Sequence, residues 1–436
     1  MKIVIANKYL YPRGGDCIYT LRLMKLLQEN GHTVIPFSMR HPRNIQTEYD
    51  EYFTEFIDFH EESKNISIKS ALKVASRSVI NLNAARSFER LIADTRPDVI
   101  HLQNIHHQLT PAILGAPVKY GIPVVWTQHD SNLLCPDHLF LRNGKPCTSC
   151  GEGKYYNAVR YRCKKNSFGA SLLAALECSI HNPTRLARHV YKFIYPSEFT
   201  ARFMLDLYGM DPEKVEVIPH FLPYEEIGST ARAYFFYFGR LSAEKGIETL
   251  LKAFKKLGGS RLVIAGDGPD RGYYESMAHS MGLSNVEFIG YQPPESIKIL
   301  LGGCIASILP SKCYESFGFT TLETMSAGKP VIASRIGALP EQIKDNDNGL
   351  FFEPGDHDRL AVLMNKLLID PAFAEKLGEN GRKTVKEEYS PQKHYQKLLN
   401  LYLNAINSKS PKKKLDISIR MINSIKRKHT TGGIEV

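Results

Sequence analysis

Short apolar runs and longer amphipathic stretches take turns along most of this chain. Residues 2–6, 32–38, 96–102 and 121–127 carry apolar runs too short for a helix, so each reads as a buried strand. Residues 16–30, closed by Gly31, and 66–93 follow a helical period instead. A helix at 170–179 precedes strands at 193–197 and 215–219, with a helix at 198–207 between them. The alternation restarts at Tyr234, with strands at 234–238, 262–265, 286–290, 305–309 and 331–334. Helices follow from Ile247, over 319–327 with Gly328 as terminator, over 358–366 and 371–388, and from Tyr389 through Asn404. Strands alternating with helices predict parallel sheets, because parallel neighbours need a crossover between them.

A length of 436 residues exceeds what one core supports, so two domains are expected, with a boundary near Leu222. The predicted organisation is a first domain over 1–222, a second over 223–388, a helix over 389–408 and a basic tail over 409–436. The composition, 43% hydrophobic and 23% charged, excludes wholesale disorder. A net charge of +11 favours anionic partners, and the tail carries much of it, with eight Lys or Arg against two acids. Basic residues are not interleaved with aromatic ones, which argues against a nucleic-acid-binding protein. The opening residues enter a strand directly and no apolar run approaches a membrane span, so a cytosolic protein is expected.

Candidate chemistry falls in the loops that follow strands, where parallel sheets bind ligands. Gly14 and Gly15 follow the first strand, and His129-Asp130 ends the fourth. Arg240 and Lys245, five residues apart, follow the strand at 234–238; a fork and a mobile point charge together suit a diphosphate. Gly266 and Gly268 follow the next strand but miss the dinucleotide spacing, since Gly272 is one place late and Pro269 intervenes. In the stretch from Leu309 to Gln342, Glu315 and Glu323 stand with seven residues between them. Ser316, Phe317, Gly318 and Phe319 lie between those acids and offer backbone N–H groups at a positive helix end.

In order along residues 1–406, these motifs resemble the retaining glycosyltransferases of family 4 with GT-B architecture. The family's E-x7-E, G-R-L-x-x-x-K-G and AGDGP patterns correspond to Glu315–Glu323, Arg240–Gly246 and Ala265–Pro269. His220-Phe221 stands where the family has Asn-Gly after its VIP hinge. The resemblance implies two Rossmann-like domains facing across a cleft, with a nucleotide sugar held mostly by the second and the helix over 389–408 crossing back onto the first. It implies that Glu323 holds the ribose, Glu315 and His129 orient the sugar, and Arg240 and Lys245 meet the diphosphate. Gly14, Gly15 and Gly266 would line the donor, and Tyr291 would meet the nucleobase edge. The implied reaction retains anomeric configuration and uses a glycan or lipid-linked acceptor, as in envelope polysaccharide assembly. Asp345-Asn-Asp347 and Asp356-His-Asp358 lie in polar loop segments and read as turn acids, so no metal cofactor is expected for catalysis. A sugar-nucleotide epimerase or hydrolase on the same fold is the alternative; it would need no acceptor.

Two features are extra to that pattern. Cys135, Cys147, Cys150 and Cys163 sit in a polar insertion at about 131–168 and predict one structural zinc held by four thiolates. A stripe of Lys69, Lys73 and Arg77 reads first as the solvated face of a core-packed helix and otherwise as contact with an anionic bilayer or a lipid phosphate; a tail with Leu415, Ile419, Ile422 and Ile425 among lysines suits an anionic membrane surface or is a disordered basic segment.

Overall fold

A computed structural model of the protein describes residues 1–56, 79–223 and 234–408. The basic stripe at 69–77 and the tail at 409–436 lie outside the described residues.

The first sheet comprises β1 (Lys2–Ala6), β2 (Thr33–Phe37), β3 (Val99–Leu102), β4 (Val124–Thr127), β7 (Lys192–Tyr195) and β8 (Val215–Val217). Its order is β2-β1-β3-β4-β7-β8, and every pairing is parallel. Alternate side chains serve two cores. Val4, Ala6, Ile100, Leu102, Val124 and Trp126 pack on one face, and Ile3, Ile5, Val99, Val125 and Ile194 on the other. Burial on both faces explains why these strands read as continuous apolar runs. Pro36 is tolerated because β2 is an edge strand. Between β4 and β7, β5 (Leu141–Arg142) and β6 (Lys145–Pro146) form a small antiparallel hairpin within the cysteine-bearing insertion.

The second sheet comprises β9 (Tyr234–Phe238), β10 (Leu262–Ala265), β11 (Val286–Gly290), β12 (Cys304–Leu309), β13 (Val331–Ser334) and β14 (Leu350–Phe352). Its order, β11-β10-β9-β12-β13-β14, is again wholly parallel. In each sheet the order reverses once, between β1 and β3 and between β9 and β12. Crossovers leave such points in opposite directions, which opens a crevice at the carboxyl ends of the strands. The loops after β1, β9 and β12 are those that carry Gly14-Gly15, Arg240 and Glu315.

The chain passes between the domains twice. It leaves the first sheet through Pro219-His220-Phe221, and it returns in the helix Pro391–Asn407, which packs against β3 and β4. Leu398, Leu401, Tyr402 and Ala405 of that helix are buried against the Ile3, Ile5 and Val125 face. The two passages are tied together: Leu222 N–H donates to the Tyr389 carbonyl at 3.0 Å. His394 Nδ1–H donates to the Pro219 carbonyl at 2.8 Å, and its Nε2 lies 3.0 Å from the Tyr19 hydroxyl.

Candidate functional site

Glu315 belongs to the loop after β12. Its backbone carbonyl accepts from Ala338 N–H at 2.9 Å. A Cβ on Gly337, whose φ is +62°, would lie 2.5 Å from the Glu315 backbone, so this approach requires glycine. The carboxylate is held from two sides: Lys245 Nζ lies 2.6 Å from Oε1, and Ser311 Oγ donates to the same oxygen at 2.5 Å. Burial pushes the Glu315 carboxyl up, but Lys245 and Ser311 outweigh it and hold the group below its ordinary range. Burial likewise works against the Lys245 charge, and Glu315 reverses the effect, raising its pKa. Both groups are therefore ionised at neutral pH.

These residues line a cavity of about 570 Å³ between the domains. Arg240, Ser316, Phe317, Gly318 and Phe319 form its second-domain wall; Gly14, Gly15 and His129 face them from the first. Gly318 caps the helix Phe319–Ser326 with φ +87°; Thr321 N–H donates to the Gly318 carbonyl at 3.0 Å, and the N–H groups of Phe319 and Thr320 open the helix. The helix Gly15–Glu29 begins on the opposite wall, and a Cβ on Gly15 would sit 3.2 Å from the Phe319 ring. Two helix N-termini thus address one space, which favours a ligand with negative charge at its centre.

A second cavity, about 1050 Å³, is lined by Glu323, Gly266, Tyr291 and Gln292. Gly14, Gly15 and Arg240 line both cavities and mark their junction. At Gly266 φ is +135°, and a Cβ would lie 1.9 Å from the Gly239 carbonyl, so the loops after β9 and β10 interlock only with glycine here. Arg22 Nη2 reaches to 3.8 Å from Glu323 Oε1 across the cleft. Burial raises the Glu323 pKa, and Arg22 offsets part of that rise.

On the first-domain wall, His129 Nε2 lies 2.7 Å from the Gln103 side-chain amide. Burial lowers its pKa, so the ring is neutral. Ser316 Oγ donates to the His129 carbonyl at 3.0 Å, and Ser197 Oγ donates to the Ser316 carbonyl at 2.8 Å. Ser316 therefore bridges the domains. Asn104 Nδ2 joins Asp16 at 2.8 Å and Asp130 at 3.2 Å, placing two carboxylates beside His129.

Several cleft residues escape sequence reasoning. His220 is buried between the domains, stacked on Phe319 at 5.1 Å and on His129 at 5.0 Å, with Tyr19 at 4.0 Å. Its departure from the usual Asn-Gly was the available signal. Arg22 and Asp16 lie on a helix read only for its period. Arg13 and Arg43, seated on the Tyr9 and Tyr11 rings at 4.2 and 4.5 Å, pair with no carboxylate among the described residues, and both line the larger cavity.

Cys135, Cys147, Cys150 and Cys163 share one neighbourhood: burial raises the Cys150 thiol to about 12, with smaller upward effects from the other three. All four are free thiols. Among the described residues, no three His, Cys, Asp or Glu side chains are arranged to hold a metal ion.

Two parallel sheets facing across such a cleft define the GT-B architecture. The Anabaena protein HepE, solved with UDP and glucose, superposes with a TM-score of 0.67 at 17% identity, covering 92% of this chain and 99% of that one. A family model described as Glycosyltransferase Family 4 matches residues 13–226, and one described as Glycosyl transferases group 1 matches 226–384. The chain belongs to this family. An uncharacterised glycosyltransferase of Methanocaldococcus jannaschii is 29% identical, covering 92% of this chain and 98% of the relative. N-acetyl-alpha-D-glucosaminyl L-malate synthase of Bacillus anthracis is 22% identical, covering 91% and 96% respectively.

Proposed function

We propose that the protein transfers a sugar, with retention of configuration and without a catalytic metal, from a nucleoside diphosphate sugar to a hydroxyl of a glycan or lipid-linked acceptor. Assembly of an envelope polysaccharide is the proposed setting. One observation carries the donor assignment: two cavities meet where Arg240, Gly14 and Gly15 line both. A nucleoside diphosphate sugar has that same order of parts. The nucleoside lies by Glu323 and Tyr291, the diphosphate at the junction, and the sugar by Glu315 and His129. Two similar proteins support the class, since HepE was solved with UDP and glucose and the Bacillus anthracis protein is N-acetyl-alpha-D-glucosaminyl L-malate synthase.

The reaction then runs on one face of the sugar. The bond from anomeric carbon to diphosphate oxygen breaks, and its electron pair leaves with the diphosphate. The acceptor oxygen bonds to the same carbon from the same side and passes its proton to a phosphate oxygen. Arg240, Lys245 and the start of Phe319–Ser326 stabilise the charge that grows on the leaving group. The carboxylates Asp16 and Asp130 can accept from acceptor hydroxyls on the opposite wall.

Thermal shift against UDP-, GDP-, ADP- and dTDP-sugars tests the donor class; a donor at 100 times Kd adds about 2.7 kcal/mol of stability. The stabilising donor, incubated with hydroxyl acceptors, should give a glycoside whose anomeric configuration by NMR equals that of the donor. An inverted product, or an isomeric nucleotide sugar formed without acceptor, would overturn the reading.

A further inference from the structure

The helix Phe168–Ile180, between the cysteine-bearing insertion and β7, is apolar on the side that faces solvent. Phe168, Leu172, Leu176 and Ile180 are 58, 40, 50 and 37% exposed. They recur every four residues, so they form one stripe about 18 Å long on a helix whose rise is about 1.5 Å per residue. Its other side is in the core: Ser171, Ala175, Glu177 and Cys178 are buried. A solvent-facing stripe of four large apolar side chains costs solubility unless something covers it.

Charge says what kind of partner that is. From Tyr155 to Val190 the sequence has six Lys or Arg and one acid. The acid, Glu177, is buried and lies 2.9 Å from His107. Arg160, Arg162 and Lys165 before the helix, and Arg185 and Arg188 after it, are all exposed. None of these five pairs with a carboxylate among the described residues. Tyr156 and Tyr161 are exposed beside them, on and after the short helix Tyr156–Arg160 that packs on this one. An apolar stripe flanked by cations and tyrosines matches a bilayer interface with anionic headgroups. A second copy of this face, or the basic tail of the same chain, would bring like charge onto it.

We propose that Phe168–Ile180 is a membrane-docking helix that lies in the surface of an anionic bilayer, a surface separate from the tail. The position has a purpose. Cys178 Sγ donates to the Asn132 carbonyl at 3.3 Å, so the buried side of the helix holds the segment that follows His129 and Asp130. Docking there sets the first-domain wall of the cleft beside the headgroups, where a lipid-linked hydroxyl would enter.

The test uses the full chain and no sugar donor, so its failure leaves the transferase reading standing. Co-sedimentation is measured with vesicles of phosphatidylcholine alone and of an equal mixture with phosphatidylglycerol. Wild type should bind the anionic vesicles and not the neutral ones. Leu172→Ser with Leu176→Ser, and separately Arg185→Ala with Arg188→Ala, should weaken binding with unchanged melting temperature, by about fivefold for each cation removed near the surface. In Leu176→Trp, the new indole should shift to the blue on anionic vesicles and be quenched by brominated lipid. Unaltered binding by the two double variants, or an indole that stays in water on bound vesicles, would overturn the proposal. Wild type that ignores anionic vesicles while an acidic protein partner protects the stripe would also overturn it.

Discussion

Lys245 has a partner within the protein, since its ammonium lies 2.6 Å from Glu315. On the proposed reading, a donor phosphate draws the lysine away and the sugar hydroxyls satisfy the carboxylate left behind. Glu315→Gln is expected to keep affinity for free nucleoside diphosphate while losing most turnover. Glu323→Ala should instead weaken that affinity by roughly 1.5–3 kcal/mol, the scale of a lost charged hydrogen bond. Titration calorimetry of both variants decides the matter, and equal, undiminished affinity would remove Glu323 from ribose binding. Arg240→Ala and Lys245→Ala should depress kcat more than they raise KM, because their partner charge grows in the transition state. Lys245→Ala should also melt early, with a buried carboxylate left unpaired; adding Glu315→Gln should restore stability but not turnover. These positions were legible in the sequence because each follows a strand in a spaced motif. Their pairing was not, for 70 residues separate lysine from glutamate and only the β9–β12 neighbourhood joins them. The stacking of His220 was hidden for the same reason, since its partners come from both domains.

Among elements, the returning helix Pro391–Asn407 shows how buried histidines make stability depend on pH. Burial lowers the His394 pKa to about 4 from 6.5, against an opposing hydrogen bond to Pro219. The sign is set by the unfolded chain, which takes up a proton between those values that the native state refuses. Stability is therefore complete above pH 6.5 and falls towards pH 4, by about 3 kcal/mol from this group at about 1.4 kcal/mol per unit. His101 and His220, buried nearby, shift in the same direction. His394→Gln should give a shallower decline of Tm between pH 6.5 and 4 than wild type shows; parallel curves would refute the assignment. Gly266→Ala belongs to this scale too. With a Cβ 1.9 Å from the Gly239 carbonyl, the loops after β9 and β10 must part, and both stability and nucleotide affinity should drop together in melting and titration experiments. Element types were readable from periodicity, because both faces of each sheet are covered and strands stay apolar throughout. β14 was missed: three residues, Leu350–Phe352, are too few to show a period.

The whole molecule is held by its two passages between sheets, and the first domain is not a continuous stretch of sequence. Leu398, Leu401 and Tyr402 complete the core over Ile3 and Ile5. A chain ending at Ser390 should therefore be largely insoluble, while Leu398→Ala should stay soluble but lose about 2–5 kcal/mol. Soluble yield and chemical denaturation measure both, and a well-behaved truncated chain would contradict the shared core. The two-domain plan was legible in the restart of the strand–helix alternation at Tyr234. The family resemblance implied that the closing helix crosses back onto the first domain; which side chains it covers was not legible, because an amphipathic face does not name its partners. That helix also fixes a timetable. On the ribosome, β1 emerges early, yet the side chains that close over it are separated from the hinge at Leu222 by the entire second domain. At roughly 5–20 residues per second, the first sheet waits on the order of 10–30 s with one face uncovered. Any holdase that assists this protein should be needed during that interval and released once residue 405 has left the exit tunnel.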